Sequence, residues 1–302
     1  MQSTRKINLQ CPVCGIAQFR FRFEKKGRDF WRCMSCAGEL LYPLPTVDEL
    51  EEYYDESYAA GMYSDFAAAQ TMKRMTAQSR LSELSQYVPS ASGGRWLDVG
   101  CADGTFVAVA KEKGADAQGV ELSATAVELA RQAGLNVHCG TVGSLPNDAR
   151  FDTITAFDVI EHVLDPRNFI HDLRMRVRDG GHIVLTLPDL NSMARRLMGS
   201  RWYFYIPEEH LHYFNRQNLS LLLREESFTV KAACRTYKPL TFDYSLVQFA
   251  EYNPMIHRVL SAVGKVIPSR LRSKVIPLPI GEMMLICQYN GSGSASLGRA
   301  VN

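Results

Sequence analysis

Residues 97–106 read LDVGCADGTF: an apolar run that meets Asp98, a bend with glycines at 100 and 104, and the start of the periodic stretch TFVAVAKEKG. The pattern predicts a strand, a glycine turn and a helix. Ligands of open parallel sheets bind beyond the carboxyl ends of the strands, where this turn falls. A dinucleotide fingerprint would place glycines at 100, 102 and 105, but the chain has Gly100, Ala102 and Thr105, a poor cradle for pyrophosphate. Gly100 and Gly104 instead frame a wider loop. Asp98 just before it can accept hydrogen bonds from loop amides or from a ligand's ammonium group. Glu121 closes the next apolar run, 21 residues after Gly100, a spacing that suits a bidentate grip on two ribose hydroxyls. Together these residues point to a nucleoside ligand without phosphates.

Outward from this stretch, short apolar runs alternate with helical patterns. Strands are expected at RWLDVG, AQGVEL, NVHC, FDTITAFDV and GHIVLTLP, and a last one at GEMMLICQY. Ser123 is placed to cap SATAVELARQAG, and Asp165 with Pro166 opens a helix expected to run to Gly180. Such alternation predicts an α/β fold with a parallel sheet covered on both faces. Before the sheet, Thr46 and Glu49 form a capping-box pattern, and a helix is expected from Phe66 to Tyr87.

The eight cysteines divide into two groups. Cys101, Cys139, Cys234 and Cys287 are scattered singly, while CPVCG and CMSCAG place Cys11, Cys14, Cys33 and Cys36 as two CxxC knuckles separated by eighteen residues. That spacing matches a four-thiolate Zn2+ site, and FRFRFEKKGRDFWRC between the knuckles reads as a hairpin. Four thiolates complete a tetrahedral ion and leave no place for an activated water, so the zinc is assigned a structural role. A redox dithiol or four free thiols is the plainer alternative. The ribbon's Arg20, Arg22, Lys25, Lys26, Arg28 and Arg32 could touch nucleic acid, but a dedicated binder is usually more basic than a chain with 34 Lys and Arg against 32 Asp and Glu. No apolar run approaches the length of a membrane span and the N-terminus lacks a signal core, so a soluble cytoplasmic protein is expected.

In this order LDVGCADGTF, GVELS and FDTITAFDVIEHVLDP resemble class I S-adenosylmethionine-dependent methyltransferases, in the branch of small-molecule O-methyltransferases of ubiquinone biosynthesis. The resemblance is close over residues 94–190 and looser over PEEHLHYFNRQNLSLLL. It implies a Rossmann-like sheet of strand order 3-2-1-4-5-7-6 with an antiparallel last strand. It also implies that Asp98, Gly100, Ala102 and Gly104 bind the methionine part, Glu121 the ribose, and Thr141 with Val142 the adenine edge, with Phe157 and Asp158 beside the methyl-bearing sulfur. Ala102 replaces a commoner glycine, and Thr141 stands where many relatives carry an acid. The activity implied is methyl transfer to a small-molecule acceptor, at a phenol, quinol or sugar hydroxyl. A zinc ribbon before such a core also resembles sugar C-methyltransferases, whose long C-terminal domain is not seen here.

The sulfonium carries its own leaving group, so the protein must align an acceptor and, for a hydroxyl, remove its proton. Candidate bases are His162, His210 and His212. Glu161 either orients substrate or holds a divalent ion. Trp202, Tyr203, Phe204 and Tyr205 either sandwich a substrate or fill a core. The basic amphipathic stretch 257–274 is read as closing the pocket, with a peripheral membrane contact as the alternative. The domain reading is a zinc ribbon over 1–45, a helical linker over 46–92 and a methyltransferase domain over 93–290. That domain carries a substrate cap near 191–215 and a helical insertion near 240–275, and a flexible tail follows over 291–302.

Overall fold

Between the two knuckles, apolar and charged side chains alternate as a half-buried strand pair requires, and in the computed structural model they form β1 (Phe19–Lys25) and β2 (Arg28–Cys33), paired antiparallel. Residues 7–46, 49–50, 67–89, 93–243, 245–246 and 254–291 are described by the structure. β3 (Glu39–Tyr42) extends the ribbon, and the Thr46–Glu49 capping box forms in both directions, at 3.2 and 2.8 Å. The helix it would open and the expected C-terminal tail lie outside the described residues. Helix α1 (Ala67–Leu84) follows, burying Met72, Ala77, Leu81 and Leu84.

The alternating region folds as β4 (Arg95–Val99), α2 (Thr105–Glu112), β5 (Asp116–Glu121), α3 (Ala124–Gln132), β6 (Val137–Cys139), β7 (Phe151–Phe157), α4 (Pro166–Arg176) and β8 (Val177–Pro188). Asp165 caps α4 by accepting from the amides of Arg167 and Asn168, and Ser123 caps α3. Further on come α5 (Met193–Met198), β9 (His212–Tyr213), α6 (Arg216–Glu225), β10 (Phe228–Arg235), β11 (Lys238–Leu240), α7 (Pro254–Gly264), α8 (Ser269–Arg272), β12 (Ile276–Leu278) and β13 (Glu282–Tyr289).

Seven strands form the central sheet in the order β6-β5-β4-β7-β8-β13-β10, parallel except that β13 runs antiparallel to both neighbours. Counted within the sheet this is the expected 3-2-1-4-5-7-6. Alternate residues of β4 serve opposite faces: Leu97 and Val99 pack with Ile170, Leu173 and Leu219 beneath, and Trp96 packs with Leu84, Phe106 and Val107 above. Both faces are therefore dry, and residues 97–99 carry no exposed polar position.

Two departures from the sequence reading have clear causes. Helix α4 stops at Arg176 rather than Gly180, because buried Val177 turns extended and pairs with Phe151. The Arg176 guanidinium pins that corner by donating to the carbonyls of Val142 and Leu145 at 3.3 and 2.8 Å. The second departure concerns residues 191–215. This stretch, read as a substrate cap, is also joined to the ribbon, since β9 adds to β3 as the fourth strand of the ribbon sheet. Trp202, Tyr205 and Tyr213 pack there with Phe30 and Leu41 in one buried aromatic cluster. The knuckle residues Cys11, Val13 and Cys33 share a core with Phe214 and Leu219 of the main body.

Candidate active site

The loop after β4 holds three left-handed residues, Gly100 (φ 67°), Ala102 (φ 47°) and Gly104 (φ 75°). At Gly104 the left-handed backbone favours glycine, and a side chain there would also push against Leu135 Cδ1 at 2.5 Å. Ala102 carries the cost of that conformation, about 1–2 kcal/mol, and Glu121 helps hold it there. One oxygen of Glu121 accepts from the Ala102 amide at 3.0 Å and the other from the Ser123 amide at 2.9 Å. Below the loop Asp98 is buried and accepts from Thr155 Oγ1 at 2.6 Å. Burial pushes its carboxyl up to about 7, against the pull of the Thr155 hydroxyl and Arg80.

Across the carboxyl end of β4, Phe157 sits edge-on to Phe106 at 4.7 Å with the Arg80 guanidinium over its ring. Asp158 follows in a left-handed conformation, φ 58°, and accepts from Arg80 at 2.6 Å and Thr186 Oγ1 at 2.9 Å. Lys238 stands 3.7 Å from Asp158 and 2.6 Å from Glu282. Burial alone would raise Asp158, but Arg80 and Lys238 hold its carboxyl well below the usual range. Arg80, Lys238 and Glu282 were absent from the sequence reading. Each lies in an ordinary element with no local motif, and only folding brings them to Asp158.

The next turn of chain carries Glu161 and His162. Glu161 is 1% exposed and, among the described residues, neither of its carboxyl oxygens has a hydrogen-bond partner. Burial, and then the Asp158 charge, push it well above the usual range. Its carbonyl accepts from the amides of Leu211 and His212 at 2.8 and 3.1 Å, which ties the HLHYF segment to this turn. His162 and His210 meet edge to face at 4.7 Å, and donor atoms of Glu161, His162 and His210 all lie within 4.8 Å of one another.

The two histidines of HLHYF separate. His210 Nδ1 is 2.8 Å from the Phe204 carbonyl. A carbonyl only accepts, so Nδ1 carries the proton and Nε2 is left as an acceptor. Burial pushes His210 down to about 3 and His162 down to about 4, keeping both neutral. His212 Nε2 instead bonds the Leu164 carbonyl at 3.3 Å and borders the same small gap as Cys11 and Val13. Trp202 and Tyr205 are buried, with Tyr205 Oη donating to Glu39 at 2.6 Å, and thus belong to the core. The rings of Phe204 and Tyr213 each lie 6.1 Å from His210. Thr141 is exposed, while the Val142 side chain packs in the core.

At the knuckles, Cys11 and Cys36 sulfurs are 3.7 Å apart, Cys14 and Cys33 3.6 Å, and all four lie within 4.8 Å of one another. A tetrahedron with metal–sulfur bonds of about 2.3 Å has edges of about 3.8 Å, so the four residues fit a zinc ion.

A doubly wound sheet of this order, with a glycine-opened loop after its first strand and an acid at the tip of its second, defines a class I S-adenosylmethionine-dependent methyltransferase. The chain belongs to the methyltransferase-domain family, whose model matches residues 70–233. It is similar to a ubiquinone biosynthesis O-methyltransferase of Alkalilimnicola ehrlichii, 26% identical over 193 residues, covering 59% of this chain and 78% of that protein. A protein of the same description from Coxiella burnetii is 28% identical over 142 residues, covering 44% of this chain and 60% of its own. Among solved structures the fold is shared with magnesium protoporphyrin IX methyltransferase from Synechocystis with bound S-adenosylhomocysteine. The TM-score is 0.54 and the identity 12%, over 81% of this chain and 100% of that one. It is shared too with a methyltransferase from Thermotoga maritima, at TM-score 0.51 and 19% identity, over 80% of this chain and 99% of that one.

Proposed function

We propose that the chain methylates a hydroxyl oxygen of a small-molecule acceptor, with His210 as general base and a structural zinc held by Cys11, Cys14, Cys33 and Cys36. The carrying observation is the Phe204 carbonyl on His210 Nδ1, which leaves Nε2 free to accept a proton beside His162 and Glu161. S-adenosylmethionine, when bound, supplies an electrophilic methyl group. Asp98 takes the ammonium of its methionine part, and the amides of the Gly100–Gly104 loop take the carboxylate. Glu121 takes the ribose hydroxyls, because a carboxylate has lone pairs to spare beyond its two amide bonds. Thr141 and the backbone at Val142 face the adenine edge, and Phe157 and Asp158 lie beside the sulfur.

Burial keeps His210 unprotonated at any ordinary pH, and the Asp158 charge favours the imidazolium as the acceptor's proton arrives. His212, tied to Leu164, is a positioning residue. The O-methyltransferase descriptions of the relatives from Alkalilimnicola ehrlichii and Coxiella burnetii support oxygen as the acceptor atom. A nucleic-acid role for the ribbon is disfavoured: Arg22 and Arg32 pair with Glu39, Lys26 with Glu208, and Lys25 with the Tyr205 carbonyl.

The test is His210→Ala assayed against phenols, quinols and sugars, with product mass and the site of methylation determined. Turnover should fall about 10²- to 10⁴-fold with S-adenosylmethionine affinity retained. Unchanged turnover removes His210 as the base, and a new carbon–methyl bond removes the oxygen acceptor.

A further inference from the structure

Charge is segregated along this chain. Residues 254–281 contain Arg258, Lys265, Arg270, Arg272 and Lys274 and not one Asp or Glu, a net +5. The rest of the chain has 29 basic against 32 acidic residues, a net −3. The basic stretch is also where apolar side chains face outward. On α7 Val259 and Val263 are 59% and 42% exposed, and Val266 just beyond it is 81% exposed. Positions 259 and 263 share one face of α7, and Val266 follows in the turn that ends it.

The opposite face of α7 packs inward. Gly264 is buried so closely that a side chain there would meet the Phe242 ring at 2.8 Å, and His257 bonds the Leu246 carbonyl at 3.0 Å. A lid over a pocket would turn its apolar stripe inward, and this helix does the reverse. Leu271 on α8 and Ile276 and Leu278 on β12 are exposed apolar side chains too. Arg258, Lys265, Arg270 and Lys274 are exposed in the same stretch, while Arg272 is held by Asp243 at 3.6 Å.

We infer that residues 257–278 form a docking surface for an anionic lipid bilayer. The chemistry is complementary: apolar side chains enter the headgroup boundary, long basic side chains reach the phosphates beside them, and no acid opposes the approach. A soluble protein partner would need acidic residues set around an apolar patch of matching shape; a bilayer supplies negative charge and apolar depth over any shape. The surface is continuous with the rim of the candidate active site. Leu278 pairs with Lys238, whose ammonium reaches Glu282 and Asp158. Docking would thus bring the acceptor pocket to the membrane plane. The surface itself does not depend on the acceptor reading, and its test uses no turnover.

The experiment is co-sedimentation of the full chain with vesicles of phosphatidylcholine alone and of phosphatidylcholine with about one third phosphatidylglycerol. Partition should favour the anionic vesicles by on the order of tenfold and collapse at about 0.5 M salt. Lys265→Glu with Lys274→Glu, and separately Val263→Asp with Val266→Asp, should each lower it on the order of tenfold or more, with S-adenosylmethionine binding retained as evidence of folding. Equal partition into both vesicle types, no partition, or partition unchanged by both pairs overturns the proposal. So does concentration-dependent self-association without lipid that Val263→Asp abolishes, which would assign the face to a second copy.

Discussion

Asp98 shows how one buried carboxyl would link the fold to the cofactor in the proposed site. Its value in the folded chain, about 7, lies above the ordinary 3.8, so the folded protein holds this proton more tightly than the unfolded chain does. Its contribution to stability is complete below the ordinary value and is lost as the pH rises through about 7, a change on the order of 4 kcal/mol. A ligand ammonium favours the carboxylate, so S-adenosylmethionine should bind more tightly as the pH rises from about 6 to about 8, releasing a proton. Calorimetry in buffers of different ionisation heat measures that proton. A flat affinity, or a pH dependence that survives Asp98→Asn, contradicts the assignment.

Arg80 makes the complementary case, because it holds Asp158 at 2.6 Å in a site where burial penalises every charge. Arg80→Ala would leave Asp158 and Glu282 with Lys238 as their one cation partner among the described residues. A loss of about 3–5 kcal/mol in denaturant unfolding is expected, with Arg80→Lys recovering part of it. A loss below about 1 kcal/mol would show that Lys238 suffices. Asp98 was legible because a strand-ending acid before a glycine turn is a local pattern. Arg80 was not, since its meaning lies in a residue 78 positions away.

At the scale of elements, β9 is the consequential one. It is two residues long and pairs with β3 of the ribbon, while the Leu211 and His212 amides bond the Glu161 carbonyl. His210 is therefore positioned from both sides, by the ribbon sheet and by the turn after β7. With the proposed zinc in place, a ribbon this small would rely on that ion for order. Stripping zinc with a chelator should lower the unfolding temperature and turnover together, with S-adenosylmethionine affinity less affected because β4 and the loop after it belong to a sheet separate from the ribbon's. Equal loss of binding and turnover would show that the ribbon supports the whole domain instead. The sequence announced the ribbon through its cysteine spacing and the helices through Ser123 and Asp165. It could not announce β9, since two residues carry no periodicity and their partner strand is more than 160 residues earlier.

The whole molecule separates its tasks by region. Parallel strands buried on both faces provide a rigid base, the loops at their carboxyl ends carry the polar site, and net positive charge gathers in residues 254–281. Among the described residues no helix is long and apolar enough to cross a membrane. Contact with a bilayer would be through a face, which fits a helix whose apolar stripe looks outward.

Local chemistry determined what the sequence by itself could: a glycine-opened turn after the first strand, paired thiols that gather four sulfurs, an acid at a strand tip, and apolar runs where both faces are dry. These depend on a residue and its near neighbours, so the order of residues is enough. The tertiary structure alone decided which histidine faces Glu161, which cations neutralise Asp158, that the aromatic segment 202–205 is largely core, and that α7 turns its valines outward. Each of these is a contact between distant parts of the chain or a choice of face, fixed by packing after the elements form.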